Sequence, residues 1–198
     1  MGIERLVGLT DDVFAFAITL LVLELVTPVI TGPVTNSSLA AALAQEYPSL
    51  IDFGVSFWVA ALLWMAHHRI FQYIKASDVG LLTLNLVFLF FIVLIPFVTR
   101  VLDSYESVQV ALLVFVAPIV GASLTNGLIW KHASSADLVD ETAPEGARKW
   151  FRIQGPVTSA MFALSILLSF VETYLTVASW FVIVLGIHLL ERRYKRQR

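Results

Sequence analysis

Residues 5–31 read RLVGLTDDVFAFAITLLVLELVTPVIT, an apolar run entered past Arg5, Thr10, Asp11 and Asp12. About 20 mainly apolar residues suffice for a helix to cross a bilayer, and this run is long enough. A surface helix of a soluble protein keeps one polar face, which this segment lacks. A plain anchor has no use for carboxylates at its threshold, because ionisable groups at membrane depth are costly and mark sites or conduction routes. The run therefore predicts a membrane helix that does more than hold the chain in place.

The rest of the chain agrees. Of its 198 residues 58% are hydrophobic and 14% charged, against about 25% charged in soluble domains. The sequence predicts an all-α integral membrane bundle of six spans, over about 9–30, 49–71, 79–101, 108–130, 156–171 and 174–190. The last two runs are short and meet around Glu172, as a helical hairpin would. Between the first two, TGPVTNSSLAAALAQEYP holds a breaker at Thr31–Pro33 and a short amphipathic helix capped by Ser37 or Ser38. HASSADLVDETAPEGARKWFR, between the fourth and fifth, is the longest polar stretch and reads as a flexible loop. No basic leader and small-residue cleavage site precede the first run, so the first span is expected to be retained. There is no cysteine, and hence no disulfide framework or thiolate metal site.

Every basic residue except Arg100 falls on one side of this topology, including Arg5, Arg69, Lys75, the group Lys131, Arg148, Lys149 and Arg152, and the basic tail after residue 190. The excess of cytoplasmic Lys and Arg places both termini in the cytoplasm. Tyr47, Tyr73, Tyr105 and Tyr194 stand at span ends, where interfacial aromatics belong. A single six-helix unit of this size leaves little room for a private aqueous channel. A central pore requires several copies around an axis.

The first span carries the strongest pattern. With Phe16 at zero and about 100° per residue, Leu20 falls at about 40°, Leu23 at about 340°, Thr27 at about 20°, Asp12 at about 320° and Thr19 at about 300°. Asp11, at about 220°, lies on the far side. On an axis, Asp12 would form a carboxylate ring at the cytoplasmic mouth and Phe16, Leu20 and Leu23 would form apolar necks, which gate by dewetting. Ordinary helix packing produces the same stripe, and carboxylates near a helix N-terminus are also favoured by its dipole.

In the second span Trp64, His67, His68 and Phe71 share one face at i, i+3, i+4, i+7. A histidine here can bond Thr10 or Asp11, sense protons, or serve a structural interhelical network. Adjacent histidines without H-x-x-x-H spacing or thiolates make a poor metal site, and no cofactor motif is present. Asn85 requires a partner on another helix, and Glu24 either flanks the outer mouth or pairs within the bundle. Pro96 and Pro118 predict kinks, and Asn126 polar packing. Hydrolase, P-loop, dinucleotide and zincin signatures are absent, which argues against an enzyme. The potassium-channel carbonyl filter is absent too.

These segments resemble the prokaryotic members of the transmembrane protein 175 family, the endosomal and lysosomal potassium channels. The family hallmark is arginine, three residues, then phenylalanine-serine-aspartate. It stands here as Arg5, Leu9, Thr10 and Asp11. VFAFAITLLVLEL, the Trp64–His67–His68–Phe71 segment and Asp78–Phe97 carry the rest of the likeness. The resemblance implies a single-repeat subunit in a homotetramer, with the first span of each copy lining one pore. Phe16, Thr19 or Leu20, and Leu23 would be its constriction and selectivity element. Phe16 stands where the family commonly has isoleucine, so the first ring is bulkier. The resemblance also implies a network in which Arg5 and Asp11 hold the first span to the histidine and tryptophan of the second. The expected activity is passive potassium-permeable conduction in the cell membrane, with modest discrimination against sodium. A proton-coupled transporter using Asp11, His67 and Glu24 is the alternative reading, and a pore-less scaffold a third.

Overall fold

The computed structural model describes residues 2–105 and 108–170, and beyond them residues 176, 179, 180, 182, 183, 185–187, 189, 190 and 192. Seven residues of the sixth span, Glu172 at its hairpin turn, Tyr194 and the basic tail from residue 193 lie outside the described residues. Among the described residues the regular elements are helical, and the one extended pairing is an isolated bridge between Ile74 and Val139.

Helix α1 covers Ile3–Leu20 and tightens into a 3-10 turn over Leu21–Glu24. It starts before and ends well before the 9–30 run. The reason lies at Pro28, which has no N–H to give the Glu24 carbonyl and disfavours helical geometry at Thr27. That carbonyl instead accepts a hydrogen bond from the Arg100 guanidinium at 3.3 Å, and Leu25 is already extended. Thr27 therefore lies beyond the helix, and the helical phase that put it on the stripe does not reach it. Helix α2, Asn36–Gln45, is capped by Thr35 rather than by Ser37 or Ser38. The Thr35 hydroxyl accepts from the Ser38 N–H at 3.1 Å and the Ser38 hydroxyl accepts from the Thr35 N–H at 2.8 Å, closing a capping box.

Helix α3, Tyr47–Phe71, follows directly, with Pro48 in its first turn. Asp78 then caps α4, Val79–Val93, by accepting from the Leu81 N–H at 2.7 Å. The axis breaks at Leu94 and continues as α5, Ile95–Ser104, because Pro96 cannot donate to the preceding turn. Helix α6, Gln109–Ser135, carries Pro118 without interruption. Helix α7, Glu145–Ser165, ends in a 3-10 turn over Ile166–Phe170. It begins inside the stretch that reads as a flexible loop, and α6 also extends into that stretch. The first turns of α7 are amphipathic. Gly146, Ala147, Trp150 and Phe151 are buried, while Glu145 and Lys149 pair at 2.7 Å on the exposed side. No apolar run announces such a segment.

Among the described residues four stretches are long and apolar enough to cross a membrane, Ile3–Glu24, Tyr47–Phe71, Val79–Ser104 and Gln109–Ser135. The chain is a multi-pass membrane protein. The core runs between α4 and α6, where Phe88, Ile92, Phe115, Ile119, Ile129 and Trp130 are buried. Trp180 joins it, stacked on Phe115 at 5.0 Å and donating to the Ser165 hydroxyl at 2.8 Å. At one end the connections after α3 and α6 are tied together, Lys75 N–H to Leu138 carbonyl at 2.9 Å and Asp140 N–H to Tyr73 carbonyl at 2.8 Å. Arg148 completes the clasp with bonds to the carbonyls of Ala143 and Asp140.

Candidate functional site

Helix α1 has two unlike faces. Leu6, Thr10, Phe14, Ala17 and Leu21 are buried against α3, α4 and α5. Asp12, Phe16, Thr19, Leu20 and Leu23 are exposed on the single chain, Phe16 at 71% and Leu23 at 70%. The Thr19 hydroxyl donates back to its own helix, 2.9 Å from the carbonyls of Ala15 and Phe16, and so presents only acceptor lone pairs outward. An exposed face of a membrane helix meets either lipid or another subunit.

The buried face is fixed by polar contacts rather than by apolar packing alone. The Asn85 side chain, fully buried on α4, donates to the Thr10 hydroxyl at 2.9 Å, and its carbonyl oxygen bonds His67 Nε2 at 2.8 Å. Thr10 donates its own proton to the Leu6 carbonyl at 3.0 Å. The His67 ring is held between Phe71 and Phe88, with centroids 4.2 and 4.7 Å away. One turn earlier on α3, Trp64 Nε1 donates to the Asp11 carboxylate at 2.8 Å and stacks on His68. Phe14 packs on Phe88 at 5.8 Å.

This geometry corrects the sequence reading in three respects. Asp11 meets Trp64, one of the two residues expected to hold it, and no histidine, while His67 reaches Thr10 only through Asn85. Asn85 is thus the hub. The sequence offers it only as a buried amide in need of a partner. Arg5 is exposed and has no side-chain partner among the described residues, so it does not join the network implied for it. Six positions separate it from Asp11, about 9 Å of rise on another face of the helix. Leu9 is half-buried against the core.

At the opposite end of α1, Glu24 pairs with Arg100 at 3.6 Å. Asp11 and Glu24 are separated by about 20 Å of helix, with Phe14, Ala17 and Leu21 buried between them. Among the described residues no cluster of three His, Asp or Glu side chains could hold a metal ion.

Comparison with known proteins bears on the same segment. Residues 5–96 match the family model described as Endosomal/lysosomal potassium channel TMEM175. A protein named potassium channel from Streptomyces collinus is 32% identical over 180 residues, covering 88% of this chain and 86% of that protein. A mouse protein named Endosomal/lysosomal proton channel TMEM175 is 29% identical over 143 residues, covering 66% of this chain and 28% of its own length. The solved structure of a lysosomal potassium-selective channel TMEM175 homolog from Chamaesiphon minutus superposes with a TM-score of 0.75 at 26% identity, covering 96% of this chain and 97% of that one.

Proposed function

Because the chain belongs to the TMEM175 family, whose members are ion channels and not enzymes, we propose that it is a potassium-permeable cation channel of the cell membrane, with both termini cytoplasmic. The pore lies on the axis of a homotetramer of six-span subunits and is lined by α1. Conduction is passive. Phe16 and Leu23 form apolar necks, Leu20 and the outward lone pairs of Thr19 lie between them, and Asp12 forms a ring at the cytoplasmic mouth.

One observation carries this reading. The unpartnered stripe of α1 ends in a carboxylate, while its other face is clamped by Asn85 and Trp64. A stripe turned to lipid would set Asp12 beside hydrocarbon, at a cost of about 2.5 kcal/mol or more near the bilayer centre and less towards the surface. Turned to an axis, Asp12 sits in water and concentrates cations while the rings beyond it strip hydration. The names of the bacterial relatives favour potassium as the permeant ion, and that of the mouse relative makes protons the competitor to measure.

The transporter reading loses its relay in this geometry. Glu24 is engaged by Arg100 at the far end of α1 from Asp11 and His67. Liposomes loaded with a potassium or sodium gradient decide the matter. Wild type passes potassium with unitary steps in a planar bilayer, Phe16→Ala or Leu23→Ala widens the neck and raises current or lowers selectivity, and chemical cross-linking yields a ladder ending at four. Unaltered currents from both variants in intact tetramers would remove α1 from the pore.

A further inference from the structure

The contacts that hold α1 also fix where its first turns point. Arg5 lies in the same unbroken helix as Asp12 and Phe16. Seven positions separate it from Asp12, which puts it about 10 Å nearer the N-terminus and only about 20° away round the helix. With Phe16 at zero it falls at about 340°, in line with Asp12 and Leu23. Gly8, between the two at about 280°, is exposed as well, and a Cβ added there would meet nothing within 4 Å. Leu6 and Thr10, which turn away from this line, are buried. Two turns past the Asp12 carboxylate, on the same exposed line, stands a guanidinium.

The usual reasons for an arginine at this place do not explain its face. Arg5 has no side-chain partner among the described residues, so it holds no neighbouring helix. The helix gains nothing from it, because the dipole favours anions in a first turn and disfavours cations. The cytoplasmic preference of basic residues asks for a charge at this end of the span, on any face. Nor do Arg5 and Asp12 cancel within one chain. Side chains on a helix lean towards its N-terminus, so Arg5 extends away from Asp12, and the short Asp12 side chain does not span the remaining gap. Glu4, the other charge in this turn, is exposed but lies about 100° further round.

We propose, resting on the conduction reading above, that Arg5 makes the pore rectify. Its copies form a cationic ring at the cytoplasmic lip, in series with the Asp12 ring behind it, and lower the concentration of potassium waiting to enter from the cytoplasm. Ions arriving from the outer side have already crossed the necks before they meet this ring, so outward current is held back more than inward current. The guanidinium stays protonated at any working pH, which makes the effect independent of pH and dependent on salt. Four unit charges about 10 Å from an axis in water change the local cation concentration about five- to tenfold where the screening length is about 30 Å, at about 0.01 M salt, and hardly at all near 1 M, where it is about 3 Å.

The chain has no cysteine, so Arg5→Cys carries a single thiol. Because Arg5 is exposed, the variant should assemble as wild type does. The test records its potassium currents in inside-out patches in dilute salt, before and after thiol reagents reach the cytoplasmic face. Loss of the charge should raise outward current about fivefold and inward current much less. A sulfonate-bearing methanethiosulfonate should raise outward current further, a trimethylammonium-bearing one should return it towards wild type, and all differences should vanish near 1 M salt. Arg5→Lys, which keeps the charge, should rectify as wild type does and Arg5→Gln should not, and this pair carries the test if the cysteine variant passes no current. Phe16→Cys in the same patches separates the two claims. If its current responds to the reagents while that of Arg5→Cys does not, or responds alike to both signs of charge, Arg5 is not at the lip and this inference alone fails. If neither position responds, α1 is not in the pore and the conduction reading falls as well.

Discussion

Asn85 is the most informative residue to perturb, because it joins three helices through one amide. It is fully buried, donates to Thr10 at 2.9 Å and meets His67 Nε2 at 2.8 Å. Interhelical hydrogen bonds in membranes average about 0.6 kcal/mol and reach about 1.7, less than in simple expectation because the unfolded chain in lipid also finds partners. Here the upper part of that range applies. His67 is only 2% exposed and its ring is pinned between Phe71 and Phe88, so it cannot turn to find another acceptor. Asn85→Ala removes two such bonds and leaves a buried ring nitrogen unsatisfied, for a total of about 2–4 kcal/mol.

The pairwise part is isolated by a cycle with His67→Phe, which keeps the aromatic sandwich and deletes the nitrogen. The expected coupling is about 1–1.7 kcal/mol. The assay is equilibrium unfolding over increasing SDS mole fraction, read by circular dichroism at one protein concentration so that assembly does not shift the midpoint. A second cycle tests the relay. In the Asn85→Ala background, Thr10→Val and His67→Phe should add within about 0.5 kcal/mol, because nothing then connects them. If Asn85 and His67 show no coupling although every variant unfolds cooperatively, the amide is not the hub and the account of how α1 is held fails.

Other consequences are simpler to measure. Gly155→Ala drives a methyl into the α6 backbone and should cost about 1–3 kcal/mol, whereas Gly54→Ala, with nothing within 4 Å of its added Cβ, should be neutral or mildly stabilising in the same unfolding assay. Asp12→Asn should lower unitary potassium conductance in dilute salt and converge on wild type near 1 M, where the screening length falls to about 3 Å. A deficit that persists at high salt would mean that the mouth charge is not what the substitution removes. Glu24→Gln should leave potassium flux intact, its ion pair being part-exposed and worth at most about 1 kcal/mol, and abolished flux would revive the relay. The Leu81 N–H, and then His132 at 2.9 Å, hold the Asp78 carboxyl below its ordinary value of 3.8. That contribution is fully present above the ordinary value and is lost as the pH falls through the lower folded-state one, so acid unfolding should be less steep below pH about 4 in Asp78→Asn, which still caps α4.

The parts of this fold visible in the sequence are those where one long apolar run coincides with one helix. The runs ending at Phe71 and starting at Val79 coincide with helix ends because a polar connection and an aspartate cap stand there. The misreadings have local causes. The end of α1 is decided by a carbonyl that Pro28 cannot serve and Arg100 can, and that partner is 76 positions away. The start of α7 is amphipathic, so a search for apolar runs passes over it. The separation of Asp11 from Asp12 is legible in the helical period alone, but the docking that brings Trp64 to Asp11 is not. Trp64 and Asn85 become neighbours of α1 only through the docking of α3 and α4.

Apolar side chains do not explain which way α1 faces. In lipid the surroundings are as apolar as leucine, so Phe14 and Phe16 have little reason to exchange a bundle for a bilayer. What distinguishes the two faces is the polar groups that cannot be left unpaired. Thr10 and Asp11 demand partners near one end, the backbone carbonyl of Glu24 near the other, and α3, α4 and α5 supply them. Those contacts set the rotation of the helix about its own axis, and Phe16, Leu20 and Leu23 face outward as a consequence. Substitutions on the buried polar face should therefore change conduction by rotating the stripe, with no contact to any permeating ion. Such variants should lower cooperativity of unfolding and alter currents together, whereas substitutions on the stripe itself should alter currents alone.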